Sequence, residues 1–254
     1  MNKIPWSKSF IANTVTSMNV FCGFLSMVFA SEGDYRLASI MIIAAAIFDT
    51  LDGITARLLH TSSRFGVELD SPSDVVSFGA APSFLIYKAY AYQFGGWGIL
   101  LSSCILVFGA LRLARFNIQV EDLNSKGDFK GLPIPLSAMT IALLVLSYYQ
   151  DGKIIEPFSY IVIALVILLS FLMVSKIRYN ALPKLKDKKL KEKIFLFGIL
   201  LVALLLAIAT NGEILFFIFL GIVLFGILRH LLMLILKKKD SLDNGLKTSE
   251  NQSV

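Results

Sequence analysis

The residues most able to do chemistry are aspartates lying in or beside apolar stretches. The run Phe48-Asp49-Thr50-Leu51-Asp52-Gly53-Ile54-Thr55-Ala56-Arg57 spaces two of them i, i+3. A second run, Gly66-Val67-Glu68-Leu69-Asp70-Ser71-Pro72-Ser73-Asp74, spaces two i, i+4. Either spacing puts both members of the pair on one helix face. The short connection makes the two helices neighbours, so Asp49, Asp52, Asp70 and Asp74 can converge at one depth. Clustered anions repel and titrate as a coupled set. Hard divalent cations (Mg2+, Mn2+ or Ca2+) relieve that repulsion, and carboxylate oxygens are the donors they favour. Two such ions would neutralise four carboxylates and still attract a pyrophosphate, clamping its oxygens from about 3.5–4 Å apart. Gly53 and Ala56 share the Asp49 and Asp52 face. Small residues there let a ligand approach the backbone, or let helices pack closely.

The cost of such a cluster constrains its depth. One Asp at the centre of a spanning helix costs about 2.5–3.5 kcal/mol, against about 0.3–0.6 returned by each Leu, Ile or Phe. Leu37 to Ile54 holds eight of those apolar residues, worth about 5 kcal/mol at most on that scale. Asp49 and Asp52 are therefore expected near the helix end, facing a polar cavity.

The elements that position them are helices. The chain of 254 residues is 56% hydrophobic, above the roughly 45–50% of soluble domains. Its apolar residues fall in runs of spanning length without strict alternation. The pattern predicts an all-α polytopic membrane bundle of eight helices, near Phe10–Ala30, Arg36–Ala56, Asp74–Phe94, Gly98–Phe116, Pro133–Tyr149, Phe158–Ser175, Ile194–Thr210 and Ile214–Leu236. The polar stretch Lys237 to Val254 reads as a disordered tail. No cleavage site follows the first apolar run, and Cys22 and Cys104 lie inside apolar runs, suiting packing. The net charge of +6 is concentrated between the runs, which fits lipid headgroups and argues against nucleic acid.

The aspartate runs resemble the signature of the CDP-alcohol phosphotransferase family, D-x-x-D-G-x-x-A-R-(x)8-G-x-x-x-D-x-x-x-D. Asp49, Asp52, Gly53, Ala56, Arg57, Gly66, Asp70 and Asp74 fill its fixed positions. The resemblance implies a six-helix core with a preceding interfacial helix, homodimers, and two divalent ions held by Asp49, Asp52, Asp70 and Asp74. It implies that Asp74 is the base for the acceptor hydroxyl, and that Gly53, Ala56, Arg57 and Gly66 bind the CDP-lipid. The core would cover residues 1–180, with two further spans over 181–236 and the tail over 237–254. Pro72 sits inside the aspartate stretch, and a helix starting near Ser71 would accommodate it in the first turn.

The wider chain resembles the serine-accepting branch of the family at Asn13 to Gly23, Asp74 to Pro82, Ala110 to Asn117 and Gly131 to Pro135. That resemblance implies CDP-diacylglycerol and L-serine as substrates. Arg112 and Arg115, with Asn117 after them, could hold the serine carboxylate or a lipid phosphate; snorkelling at a helix end is the plainer role. Lys130 could assist, or be a loop lysine. Asn13, Thr16 and Asn19 could bond the nucleotide, order the aspartates, or join helices. Ser77 and Gly79 could shape the acceptor pocket. Lys88 snorkels, the run Lys184 to Lys193 meets anionic lipid, and His60 and His230 are interfacial. Two rivals remain open: the same transfer to glycerol 3-phosphate, inositol phosphate or choline, and a cation transporter.

Eight spans put both termini on one side, and 21 of the 24 Lys and Arg residues fall there, which makes that side cytoplasmic and the protein integral to the cell (inner) membrane. A reporter fused after Val254 is expected to read cytoplasmic; a signal from the opposite face would overturn this topology.

Overall fold

The computed structural model describes residues 8–59, 64–121, 131–177, Tyr179 and 210–251. Among these the chain is a helix bundle. Helix α1 (Lys8–Glu32) and α2 (Tyr35–Leu59) form a hairpin. Gly33, at φ 88°, ends α1 in the left-handed region, and the Asp34 carboxylate accepts from the Leu37 N–H at 2.9 Å to start α2.

The α1–α2 seam is built from small residues. Ala38, Ile42 and Ala45 are buried on α2, and Thr16, Asn19, Cys22, Ser26 and Ala30 are buried on α1, against which it packs. Both sets repeat every three or four residues, the spacing of one helix face. Small side chains let the backbones approach closely, which is how helices associate in lipid. Continuing the α2 face by the same spacing from Ala45 reaches Asp49 and then Asp52, so the packing stripe becomes acidic in the last turns.

The next rod differs from its expected form. Helix α3 runs from Arg64 to Asp74, so Asp70 and Pro72 both lie inside it, and the start near Ser71 is corrected. Proline there has no N–H for the Glu68 carbonyl and crowds it. Directly after Asp74 the ladder widens into a π-helix over Val75–Ala80, closed by the Ala81 N–H bonding to the Val76 carbonyl. Regular helix resumes as α4 (Ala81–Ala89), followed by a 3-10 turn over Ala91–Phe94. The span expected as one helix, Asp74–Phe94, is therefore three segments.

Helix α5 (Gly96–Glu121) leads to α6 (Ile134–Tyr148), which is buried nearly all round and forms the centre of the bundle. A small hairpin, β1 (Tyr149–Gln150) and β2 (Lys153–Ile154), joins α6 to α7 (Phe158–Val174). Asp151 and Gly152, both at positive φ, make its two-residue turn. The carbonyls ending α7 find partners: Leu172 accepts from the Leu132 N–H at 2.9 Å and Val174 from Arg115 Nη1 at 3.1 Å.

Helix α8 (Glu213–Asn251) exposes Phe217, Phe225, Leu228 and Ile235 along its length. It continues through residues 237–251, where composition predicts a disordered tail. No proline interrupts that stretch, and the spanning turns before it supply the nucleus that a free segment would lack.

Among the described residues, three helical stretches are long and apolar enough to cross a membrane: Asn13–Glu32, Gly96–Ile118 and Glu213–Leu236. Helices α6 and α7 are apolar but shorter. Helix α2 is apolar from Leu37 to Phe48 and turns acidic at Asp49 and Asp52. The seventh expected span up to Ala209, the lysine run, Lys130 and His60 lie outside the described residues.

Gly23 sits where α1 meets the π turn, and a Cβ there would come within 2.5 Å of Ser77 Oγ. Gly221 has open space around it. Gly23→Ala is expected to cost about 1–3 kcal/mol through overpacking, lowering the thermal midpoint in detergent, whereas Gly221→Ala leaves it unchanged. Equal midpoints for the two variants would refute the close approach.

Candidate active site

The end of α2 and the whole of α3 bring three carboxylates together. One oxygen each from Asp49, Asp70 and Asp74 lies within 4.8 Å of the other two. Asp49 and Asp74 come into direct hydrogen-bond contact. Asp52, one turn further along α2, is outside this trio and only 8% exposed, and it takes a hydrogen bond from the Thr16 side chain. The expected four-carboxylate convergence is thus a group of three with the fourth beside it. Burial raises the Asp70 carboxyl above its ordinary range.

These groups fit a hard divalent cation. Asp52 Oδ2 and Asp74 Oδ1 are buried without a hydrogen-bond partner. A buried carboxylate oxygen left unpaired is costly, and a cation between α2 and α3 would satisfy both the orphan oxygens and the trio. Oxygen donors alone select Mg2+, Mn2+ or Ca2+ over softer ions.

The surrounding elements hold the trio in place. Ser71 and Asn117 form a paired contact, Asn117 Nδ2 donating to Ser71 Oγ at 2.9 Å, which ties α3 to α5 next to Asp70. Ser71 was not among the sequence candidates; its only signal is its position beside Asp70. On the other side, Ser77 Oγ donates to the Asn19 carbonyl at 2.9 Å, locking α1 to the π turn one helical turn beyond Asp74. Asn19 is fully buried, and neither atom of its side-chain amide has a partner. Asn19 lies one turn of α1 beyond Thr16, the residue that bonds Asp52.

The acceptor candidates divide. Arg112 is within electrostatic range of Asp74, and its Nε is buried without a partner. Arg115 instead reaches the end of α7, Asn117 is taken up with Ser71, and Ser77 and Gly79 are buried in helix packing. Of the four expected acceptor residues, Ser77, Arg115 and Asn117 each make a hydrogen bond between helices, and Arg112 is within electrostatic range of Asp74. Gly53 lies on α2 and Gly66 in the first turn of α3, both half-buried. Ala56 and Arg57 lie on α2, with side chains outside the described set.

Residues 9–172 match the CDP-alcohol phosphatidyltransferase family. The chain is 37% identical over 228 residues to CDP-diacylglycerol–serine O-phosphatidyltransferase of Helicobacter pylori, covering 88% of this chain and 92% of the relative. It is 38% identical over 223 residues to the protein of that name from Methanocaldococcus jannaschii, covering 87% of this chain and 94% of the relative. It is also 40% identical over 177 residues to archaetidylserine synthase of Methanothermobacter thermautotrophicus, covering 67% and 70%.

Electron paramagnetic resonance titration with Mn2+ checks the metal fit. Asp49→Asn or Asp74→Asn is expected to weaken Mn2+ binding at least tenfold, since each removes one oxygen of the trio and charge with it. Unchanged affinity in both variants would remove the trio as a metal site.

Proposed function

The chain belongs to the CDP-alcohol phosphatidyltransferase family, and on that premise we propose that it transfers a phosphatidyl group from CDP-diacylglycerol to L-serine. The observation that carries the reading is the convergence of Asp49, Asp70 and Asp74 at the junction of α2 and α3. These residues with Asp52 would hold two divalent ions, Mg2+ or Mn2+, which would supply positive charge to offset that developing on the leaving group. Asp74 takes the proton of the serine hydroxyl as general base. The serine oxygen bonds to the lipid-side phosphorus as the bond from that phosphorus to the CMP oxygen breaks, giving phosphatidylserine and CMP. Positioning and charge stabilisation supply most of the rate.

Arg112 binds the serine carboxylate through its guanidinium fork. Arg115 gives one Nη1 donor to the Val174 carbonyl, while Arg112 is the arginine within electrostatic range of Asp74. Asn19, Gly53, Ala56, Arg57 and Gly66 contact the CDP-lipid, and the unpartnered Asn19 amide supports its share of that role. Lys130 assists at the phosphate.

The architecture in this reading is eight spans, a six-helix core over residues 1–180, two added spans over 181–236, both termini in the cytoplasm, and a homodimer in the cell (inner) membrane. An archaetidylserine synthase among the relatives keeps an archaetidyl donor as a second reading.

Purified protein is expected to form phosphatidylserine and release CMP from CDP-diacylglycerol and labelled serine, to stop in EDTA, and to recover with added Mn2+. Asp74→Asn is expected to lose at least about a thousandfold in turnover. CMP release with glycerol 3-phosphate but not serine would overturn the acceptor, and activity indifferent to EDTA would overturn the metal role.

A further inference from the structure

A second polar site lies at the opposite end of the bundle. Tyr90 follows Asp74 by sixteen residues in the same rod, about 24 Å at 1.5 Å per residue. There a half-open cavity of about 270 Å3 is lined by Tyr90, Tyr92, Lys153, Glu156, Ser159 and Tyr160. Its frame is rigid. Tyr35 donates its hydroxyl to the Lys88 carbonyl at 2.9 Å and packs edge-on against Tyr149 at 4.7 Å, while Tyr90 packs on Phe94 at 5.7 Å. The Asp151–Gly152 turn fixes the strand that presents Lys153.

The surroundings place this cavity at headgroup level. Trp97 is 72% exposed, Tyr160 71% and Tyr92 59%, all at this end. Exposed Trp and Tyr collected at one end of a spanning bundle mark the membrane–water interface. The cavity is smaller than the roughly 300–1,000 Å3 of a drug-sized site, so it admits a headgroup and not acyl chains. Its charges are of opposite sign: Lys153 on β2, and Glu156, which takes a hydrogen bond from the Tyr160 hydroxyl. A ligand that satisfies both carries a cation and an anion a few bonds apart. Tyrosine faces beside a carboxylate favour an ammonium group, and a lysine favours a phosphate.

We propose that this cavity binds the phosphate–ammonium headgroup of a zwitterionic phospholipid from the adjoining leaflet, with the ammonium against Glu156 and the tyrosines and the phosphate against Lys153. The site is separate from the carboxylates and does not depend on the reaction they perform. A glycerol headgroup would set its phosphate against Lys153 in the same way but bring Glu156 only neutral hydroxyls in place of a cation.

Native mass spectrometry of the purified full chain tests this with phosphatidylethanolamine and phosphatidylglycerol of identical acyl chains. The wild type is expected to retain phosphatidylethanolamine at least fivefold over phosphatidylglycerol. Glu156→Gln is expected to bring that ratio to within twofold of unity, and Lys153→Gln to lower retention of phosphatidylethanolamine about fivefold. Transfer activity of Glu156→Gln, measured in phosphatidylglycerol micelles, is expected to match the wild type, which shows that the variant is folded. Equal retention of both lipids by the wild type, or a preference that survives Glu156→Gln, overturns the proposal. Glycerophosphoethanolamine tests the source of the headgroup. Displacement of the lipid by that soluble compound at equal concentration would overturn the bilayer as its origin.

Discussion

Bringing Asp49, Asp70 and Asp74 within 4.8 Å of one another sets like charges together where water is scarce, and everything around them has to oppose their separation. The opposing structure is packing that does not depend on the site itself. The Ala38, Ile42 and Ala45 stripe holds α2 against α1, the Gly23 approach holds α1 against the π turn, and the Ser71–Asn117 pair holds α3 against α5. Each contact involves a small residue or a short polar side chain with few rotamers to lose. Short side chains fix helix separation within narrow limits, whereas long apolar ones could repack.

The same logic extends to the arginines. Arg115 caps the end of α7 through Val174, and the neighbouring Leu172 carbonyl is taken by the chain entering α6. Helix α5 is thereby fixed in register with α6 and α7, and one turn earlier it carries Arg112 toward Asp74. One arginine supplies geometry and the other supplies charge. Buried α6 provides the surface on which α2, α4, α7 and α8 assemble, and α8 presents the lipid-like exterior.

Much of this was legible in the sequence. The aspartate spacings located the site, because carboxylates in apolar runs are costly and so demand a purpose. Helices α1, α6 and α7 start and stop within a few residues of their apolar runs. The Asp-Gly hairpin at 151–152 carried a recognised turn signal yet was absorbed into a connection between spans. Other features could not be read locally. Whether Pro72 starts a helix or sits inside one depends on what compensates for the lost hydrogen bond, and that is the wider ladder downstream. Arg112 and Arg115 differ by one turn of the same helix, so only the position of α7 separates their roles. Asp52 shares a face with Asp49, but Thr16 on another helix draws it aside from the trio.

The π-helix at Val75–Ala80 has a geometric consequence for the rod that contains it. A wider turn accommodates a residue more than regular helix would, and in a regular helix each residue advances the face by about 100°. The segment thus works as a phase adjuster. Upstream, it lets Asp70 and Asp74 point at α2; downstream, it lets Leu85, Ile86 and Ala89 point into the core, without either orientation dictating the other. Chemistry at one end of the rod and packing at the other can then change independently, with a single surplus residue between them absorbing the mismatch.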